Sequence, residues 1–236
     1  MRVLIERGSS AAGQRVSLDD DEVHHLRVRR AKDGDLVEIL DGSGLRGAGR
    51  LVQSGKQWDV DIQSAQLEQP PAELTLAVAA GDRERFSWMV EKAAELDVTH
   101  IVPLETERTA GVASRLKGAH LPKLRRSALE ATKQSGATWA PWIEDPTTLK
   151  AVINRSRGGA RWLADAAGEP APPLVDQNPV LVVIGPEGGL TEAERQALLS
   201  AGYLPVALGR HTLRFETAAL AAAAAVAQAR MRGLNG

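Results

Sequence analysis

The spacing of apolar positions changes character near residue 70. Before it, short runs that mix apolar and polar positions, such as 36–40 and 58–62, are separated by turn signals at Asp33 and Gly34, at Asp41, Gly42 and Gly44, and at Ser54, Gly55 and Lys56. Short strands at this spacing predict a small β-barrel. One helix interrupts it. Asp19 caps its start with Glu22 three residues on, Val23 and Leu26 share one face, and His25, Arg29 and Lys32 share another. The apolar face is expected to seal the barrel and leave a basic edge outside.

Residues 66–73 contain Pro70 and Pro71 and read as a linker, because adjacent prolines end regular structure. Beyond it the pattern alternates. A strand at 74–79 precedes a helix at 84–96 with Phe86, Met89, Val90, Ala93 and Leu96 on one face. A strand at 101–104, a helix at 121–135 and strands at 162–164, 180–184 and 205–208 follow, and an alanine-rich helix covers 218–229. Such alternation predicts a parallel α/β sheet. The expected domains are therefore 1–71 and 72–236.

Two strand–turn–helix units lie in tandem between residues 180 and 226 and would bring two backbone-rich loops to one end of that sheet, where open α/β sheets bind ligands. The first loop is Gly185-Pro186-Glu187-Gly188-Gly189 and the second begins at Leu208 and Gly209. Neither carries the lysine of a phosphate cradle or the Gly-x-Gly-x-x-Gly of a dinucleotide site. The carboxylate of Glu187, with no compensating lysine in its loop, would repel phosphate. A neutral or cationic ligand, such as a nucleoside bearing a sulfonium, suits the loops better, and a bulky residue at Gly188 is expected to fill them. There is no cysteine, and the five histidines lack metal-ligand spacing, so no metal site is expected. With 43% apolar and 25% charged residues, no membrane-length apolar run and no signal-peptide pattern, a soluble cytoplasmic protein is expected. The net charge of −1 means that an RNA partner would have to be held by local basic patches.

Gly185-Pro186-Glu187-Gly188-Gly189-Leu190-Thr191, followed by Leu208-Gly209, Leu213-Arg214 and Glu216-Thr217-Ala218, resembles the paired signature of the RsmE-type RNA methyltransferases of the SPOUT superfamily. The upstream segments His24-His25-Leu26-Arg27-Val28 with Arg30, Gly34-Asp35, Glu91-Lys92-Ala93 with Glu95-Leu96, Glu107-Arg108 and Gln134-Ser135-Gly136 fall in that family's order. The resemblance implies an S-adenosylmethionine-dependent enzyme that methylates N3 of a uridine in 16S ribosomal RNA of the small ribosomal subunit. It also implies an N-terminal PUA-like β-barrel that binds RNA, a C-terminal sheet with a deep trefoil knot, and a homodimer. The assembled small subunit is the expected form of the RNA partner. Another SPOUT methyltransferase, acting on a ribose 2′-hydroxyl or on transfer RNA, and a non-catalytic RNA-binding module are the rival readings.

Carried onto this chain, the resemblance assigns Gly185, Pro186, Glu187, Gly188, Gly189, Leu208, Gly209, Leu213, Thr217 and Ala218 to the cofactor, with Leu163 and Ala164 at the end of an earlier strand. Arg214 and Glu216 are the catalytic candidates. Removing the imide proton of uracil spreads negative charge onto two carbonyl oxygens, which a fixed guanidinium stabilises. Glu216, Glu187 or water takes the proton. His25, Arg27, Arg29, Arg30, Arg108, Arg126 and Gln134 are the RNA-binding candidates, beside the basic residues Lys32, Lys123, Arg125 and Lys133. Asp97, Ala80 and Ala137 depart from the family pattern, which has glycine, lysine and arginine at these places. The first is expected to strain a helix end, and the others to remove positive charge.

Overall fold

The computed structural model describes residues 1–8, 12–79, 81–109, 118, 120–155, 158–174 and 177–233. The chain divides into two compact units, Met1–Pro70 with Leu129–Ala140, and Pro71–Ala128 with Pro141–Gly236. Ala80, one of the departures from the family pattern, lies outside the described residues.

The first unit holds β1 (Arg2–Leu4), β2 (Arg15–Ser17), α1 (Asp20–Val28), β3 (Leu36–Leu40), β4 (Leu45–Ser54) and β5 (Gln57–Leu67). They form one sheet in the order β1-β3-β4-β5-β2, antiparallel except where β1 meets β3. Inward-facing Val3, Ile39, Leu51, Trp58, Val60 and Ile62 make its core, and Val23 and Leu26 of α1 join them. At Gly49 a Cβ would stand 2.5 Å from the Asp61 carbonyl, beside a register shift between Ala48 and Gly49, so only glycine lets β4 and β5 approach there. β5 runs two residues into the stretch expected to be linker.

Asp19 caps α1 by accepting the Glu22 N–H at 2.8 Å. The Glu22 carboxylate does not complete a capping box. It is fully buried and accepts from the Lys133 ammonium at 2.5 Å, while Glu130 lies 2.7 Å from the same nitrogen. Lys133 is therefore an internal tie between α1 and the segment 129–140, which corrects its expected role as an exposed RNA contact.

The second unit contains β6 (Leu74–Val78), α2 (Arg83–Ala94), β7 (His100–Glu105) and most of α3 (His120–Ser135). β8 (Trp142–Ile143), β9 (Thr147–Thr148), α4 (Leu149–Arg155), β10 (Ala160–Pro170), β11 (Val180–Ile184), α5 (Glu192–Ser200), β12 (Leu204–Ala207) and α6 (Phe215–Gly233) follow. The strand order is β12-β10-β11-β6-β7-β8, with β9 beside β7, and every pairing is parallel. All five residues of β6 are buried, as expected for a strand covered on both faces. Phe86, Met89, Val90 and Ala93 of α2 are buried, and α2 packs against α6. The alanines explain the fit, since Ala219, Ala222 and Ala223 are fully buried and let α6 lie close to α2, β6 and β11.

α2 ends with a bond from the Val98 N–H to the Ala93 carbonyl, and Asp97 holds the left-handed conformation at φ 56°. The strain expected where the family has glycine is thus present in the backbone, at a residue type that tolerates it. Among the described residues no helix is long and apolar enough to cross a membrane.

The buried pair in the first unit has a measurable consequence. Lys133→Ala removes the buried ammonium that faces Glu22 and should destabilise the protein by about 3–5 kcal/mol, whereas Glu22→Leu with Lys133→Met should recover most of that loss. Denaturant midpoints check this, and equal losses in both variants would place the energy in packing rather than in charge.

Candidate active site between two glycine turns

β10 lies between β11 and β12. The loops that leave the ends of β11 and β12 therefore straddle it and leave a crevice, the usual ligand position in an open parallel sheet. β10 widens the crevice. Its pairing with β12 slips from Ala164 opposite Val206 to Glu169 opposite the same Val206, so residues 165–168 bulge out of the ladder. Gly168 makes the return possible, because a Cβ there would meet the Pro205 backbone at 2.5 Å.

The resulting pocket has a volume of about 260 Å³. Of the expected cofactor residues, Leu163, Ala164, Gly185, Pro186, Glu187, Gly189, Leu208, Gly209, Leu213 and Ala218 line it. Gly188 and Thr217 do not. Ile184, Leu190, Val206 and Phe215 add apolar wall, and Asp165, Ala166, Arg195, His211 and Thr212 complete the lining. The Gly189 N–H donates to the Pro186 carbonyl at 2.8 Å, closing the first turn with Gly189 at φ 69°. α5 then starts on a capping box between Thr191 and Glu194. A Cβ at Gly185 would press on Leu190 at 3.2 Å, whereas one at Gly188 would meet only the Arg108 stem at 3.6 Å. Gly188 is not among the lining residues, and bulk there would meet Arg108, whereas the sequence suggests that it fills the loop.

Charge in the site is distributed unlike the sequence suggests. Glu187 has a compensating cation, supplied by another element. Arg85, in the first turn of α2, places its Nη1 3.9 Å from both Glu187 Oε1 and Glu216 Oε1. Glu216 is buried in the first turn of α6, where the helix dipole favours a carboxylate, and its Oε2 has no hydrogen-bond partner. The Glu187 carboxylate rests where a Cβ of residue 81 would be, 2.0 Å from that position, so Gly81 is what admits it. Across the pocket Arg195 Nε donates to Asp165 at 3.0 Å. Arg214 is exposed and, among the described residues, has no hydrogen-bond or ion-pair partner of its side chain. The cation beside Glu187 and Glu216 is Arg85.

Arg85, Asp165, Arg195 and His211 escaped the sequence reading. No motif marks Arg85; only its place one turn into a capped helix facing the glycine loop reveals it. Asp165 and Arg195 become pocket residues through the bulge in β10 and the start of α5, which spacing alone does not encode.

The expected RNA residues divide by unit. In the first, His25, Arg29 and Gln134 line one groove of about 310 Å³ with Arg2, Glu38 and Lys133. Burial pushes the Glu38 carboxyl up, but hydrogen bonds from Arg2 and Arg46 outweigh it and hold the group below the usual carboxylate range. Arg27 is exposed and donates to the Lys56 carbonyl at 3.0 Å, and Arg30 is exposed at the end of α1 with φ 55°. Gly136 follows α3 at φ 84°, and the half-buried Ala137, where the family has arginine, donates its N–H to Ser135 Oγ at 3.3 Å. In the second unit Arg108 is exposed and donates to the Gly188 carbonyl, which bolts it onto the glycine loop. Arg126 is half-buried on α3, and Arg125 stacks on Trp142 at 4.8 Å while donating to the Ile143 carbonyl. Lys123 is exposed. No group of three or more histidine or acidic residues suited to a metal ion occurs among the described residues.

Comparison with known proteins agrees in both units. The RNA methyltransferase domain family matches residues 68–227, and the RNA methyltransferase PUA domain family matches residues 18–58. The ribosomal RNA small subunit methyltransferase E of a Synechocystis species is 30% identical over 222 residues, covering 89% of this chain and 72% of its own. The crystal structure of ribosomal RNA small subunit methyltransferase E from Neisseria gonorrhoeae, bound to S-adenosyl methionine, matches with a TM-score of 0.84 at 26% identity over 96% of each chain. A Legionella pneumophila structure in complex with the cofactor SAM matches equally well, at 26% identity over 97% of this chain and 96% of its own. With a parallel α/β sheet, an N-terminal PUA-like unit and these matches over most of its length, the chain belongs to the ribosomal RNA small subunit methyltransferase E family of RNA methyltransferases.

Proposed function

We propose that this protein transfers the methyl group of S-adenosylmethionine to N3 of a uridine in 16S ribosomal RNA, acting as a homodimer on the small ribosomal subunit in the cytoplasm. The observation that carries the reading is the pocket that both glycine turns line in a chain of this family. Its walls fit the cofactor: aliphatic side chains for adenine, backbone amides and carbonyls at Gly185, Gly189, Leu208 and Gly209 for polar edges, and no lysine to demand a phosphate. When bound, S-adenosylmethionine supplies an electrophilic methyl on a cationic sulfur.

The rest is done by residues of the chain. Arg214, exposed and uncommitted, is free to bind the two uracil carbonyl oxygens that gain charge as N3 loses its proton. Glu216 and Glu187 are the carboxylates of the site, and the proton acceptor is one of these or water. His25, Arg29 and Gln134, gathered in one groove, with Arg27 and Arg30 exposed on the same unit, would hold RNA phosphates, and Arg108 and Arg126 would serve the second unit. A trefoil knot in the C-terminal part is part of the proposal. The placement of β10 between the later strands β11 and β12 supports it.

Mass spectrometry of small-subunit RNA from cells with and without the gene tests the activity. Loss of one N3-methyluridine is expected, and an unchanged spectrum would overturn the assignment. A ribose or transfer-RNA product would favour a rival reading.

Blocking the pocket should remove cofactor binding without unfolding the sheet. Gly185→Val, whose side chain must enter a lined position already tight against Leu190, should abolish S-adenosylmethionine binding in calorimetry, while Gly188→Val should retain it. Normal binding by a folded Gly185→Val protein would remove the loop from the cofactor site.

Arg214→Ala should lower single-turnover methylation at saturating cofactor and RNA by about 2.7–4 kcal/mol, the scale of one lost oxyanion donor, with cofactor affinity near normal. Arg214→Lys should recover only part, since lysine lacks the planar fork. A wild-type rate for Arg214→Ala would exclude the residue from the chemistry.

A further inference from the structure

One wall of the pocket carries an unbalanced charge. Glu187 lines it, and Glu216 is flanked by the lining residues Phe215 and Ala218. Arg85 lies 3.9 Å from both carboxylates and is the cation they share, which leaves one net negative charge in the trio. The other ionic pair of the lining, Asp165 with Arg195, cancels. Among the described residues, Arg108, Arg210 and Arg214 are further cations on or beside the lining loops. All three are exposed, where water and salt weaken their field. Glu216 is largely withdrawn from water, so its field is screened less.

We infer that the Glu187–Arg85–Glu216 trio sets the preference of the pocket for the sulfonium cofactor over its demethylated product. The inference rests on the proposal that this pocket holds S-adenosylmethionine. The two molecules share adenosine and the amino-acid chain and differ by one methyl and one positive charge on sulfur. Contacts to the shared parts bind both equally. Only a local field separates them, and a net carboxylate favours the cation. After transfer the product loses that attraction, so the same charge that recruits the cofactor favours release of the spent form. Arg85 then acts as a moderator, because two unshielded carboxylates would bind the cation more tightly at the cost of repelling each other.

The trio makes opposite predictions for its members, and a purely structural role does not. S-adenosylmethionine and S-adenosylhomocysteine are titrated calorimetrically into the wild-type protein and into Glu187→Gln and Arg85→Gln, at low and at physiological salt. Glu187→Gln keeps the shape and removes the charge, and should lower the preference for the sulfonium form by on the order of tenfold, through weaker S-adenosylmethionine binding alone. Arg85→Gln should raise that preference, and both changes should shrink with added salt. A structural lesion would weaken both ligands together. An unchanged ratio in either folded variant, or the same direction of change in both, overturns the inference. If the wild-type protein binds neither molecule, the failure lies with the proposed function instead, and the two outcomes are distinct.

Discussion

The position of β10 governs the rest of the second unit. Strands β11 and β12 follow each other in sequence, yet β10 sits between them in a fully parallel ladder. Their C-terminal loops are therefore held apart by one strand width and cannot close on each other. The five-residue slip of β10 against Val206 deepens the gap, and Gly168 allows the strand to rejoin the ladder beyond it. A pocket walled largely by backbone and aliphatic side chains is the consequence, and its polarity comes from main-chain groups that the sheet itself holds rigid.

On this neutral frame a few charges have large effects. The glycine loop would bind anions if its amides were the only polar groups present. Glu187 reverses that tendency, Gly81 makes room for its carboxylate, and Arg85 limits the excess by serving Glu216 at the same time. Three element ends are joined in this way: the first turn of α2, the turn after β11 and the first turn of α6. In the first unit a similar economy holds at Lys133, whose buried ammonium joins Glu22 to Glu130. There the buried charges tie segments together beneath the groove that His25, Arg29 and Gln134 line.

Sequence pattern carried the parts of this architecture that depend on local periodicity. The alternation of strands and helices after residue 73, the capping of α1 and α5, and the burial of Phe86, Met89 and Val90 follow from spacing and cap chemistry, which act over a few residues. β4 was missed because Arg46, Gly47, Gly49 and Arg50 give it no apolar alternation, and its pairing depends on close approach to β5. The extension of β10 to Pro170 was missed for a similar reason, since its outer half is held by a partner strand some forty residues away. At the site the two glycine turns were visible as motifs. Arg85, Asp165 and Arg195 were not, because each reaches the pocket only through tertiary packing, and the inward turn of Lys133 is equally a property of the folded unit.

The central claim is that the two glycine turns, with the end of β10 between them, form the cofactor site. Amide hydrogen exchange with and without saturating S-adenosylmethionine tests it most directly. The account requires added protection in residues 163–168, 184–191 and 207–218, with the first unit unchanged. Protection confined to the first unit, or none in either turn despite binding, would contradict it.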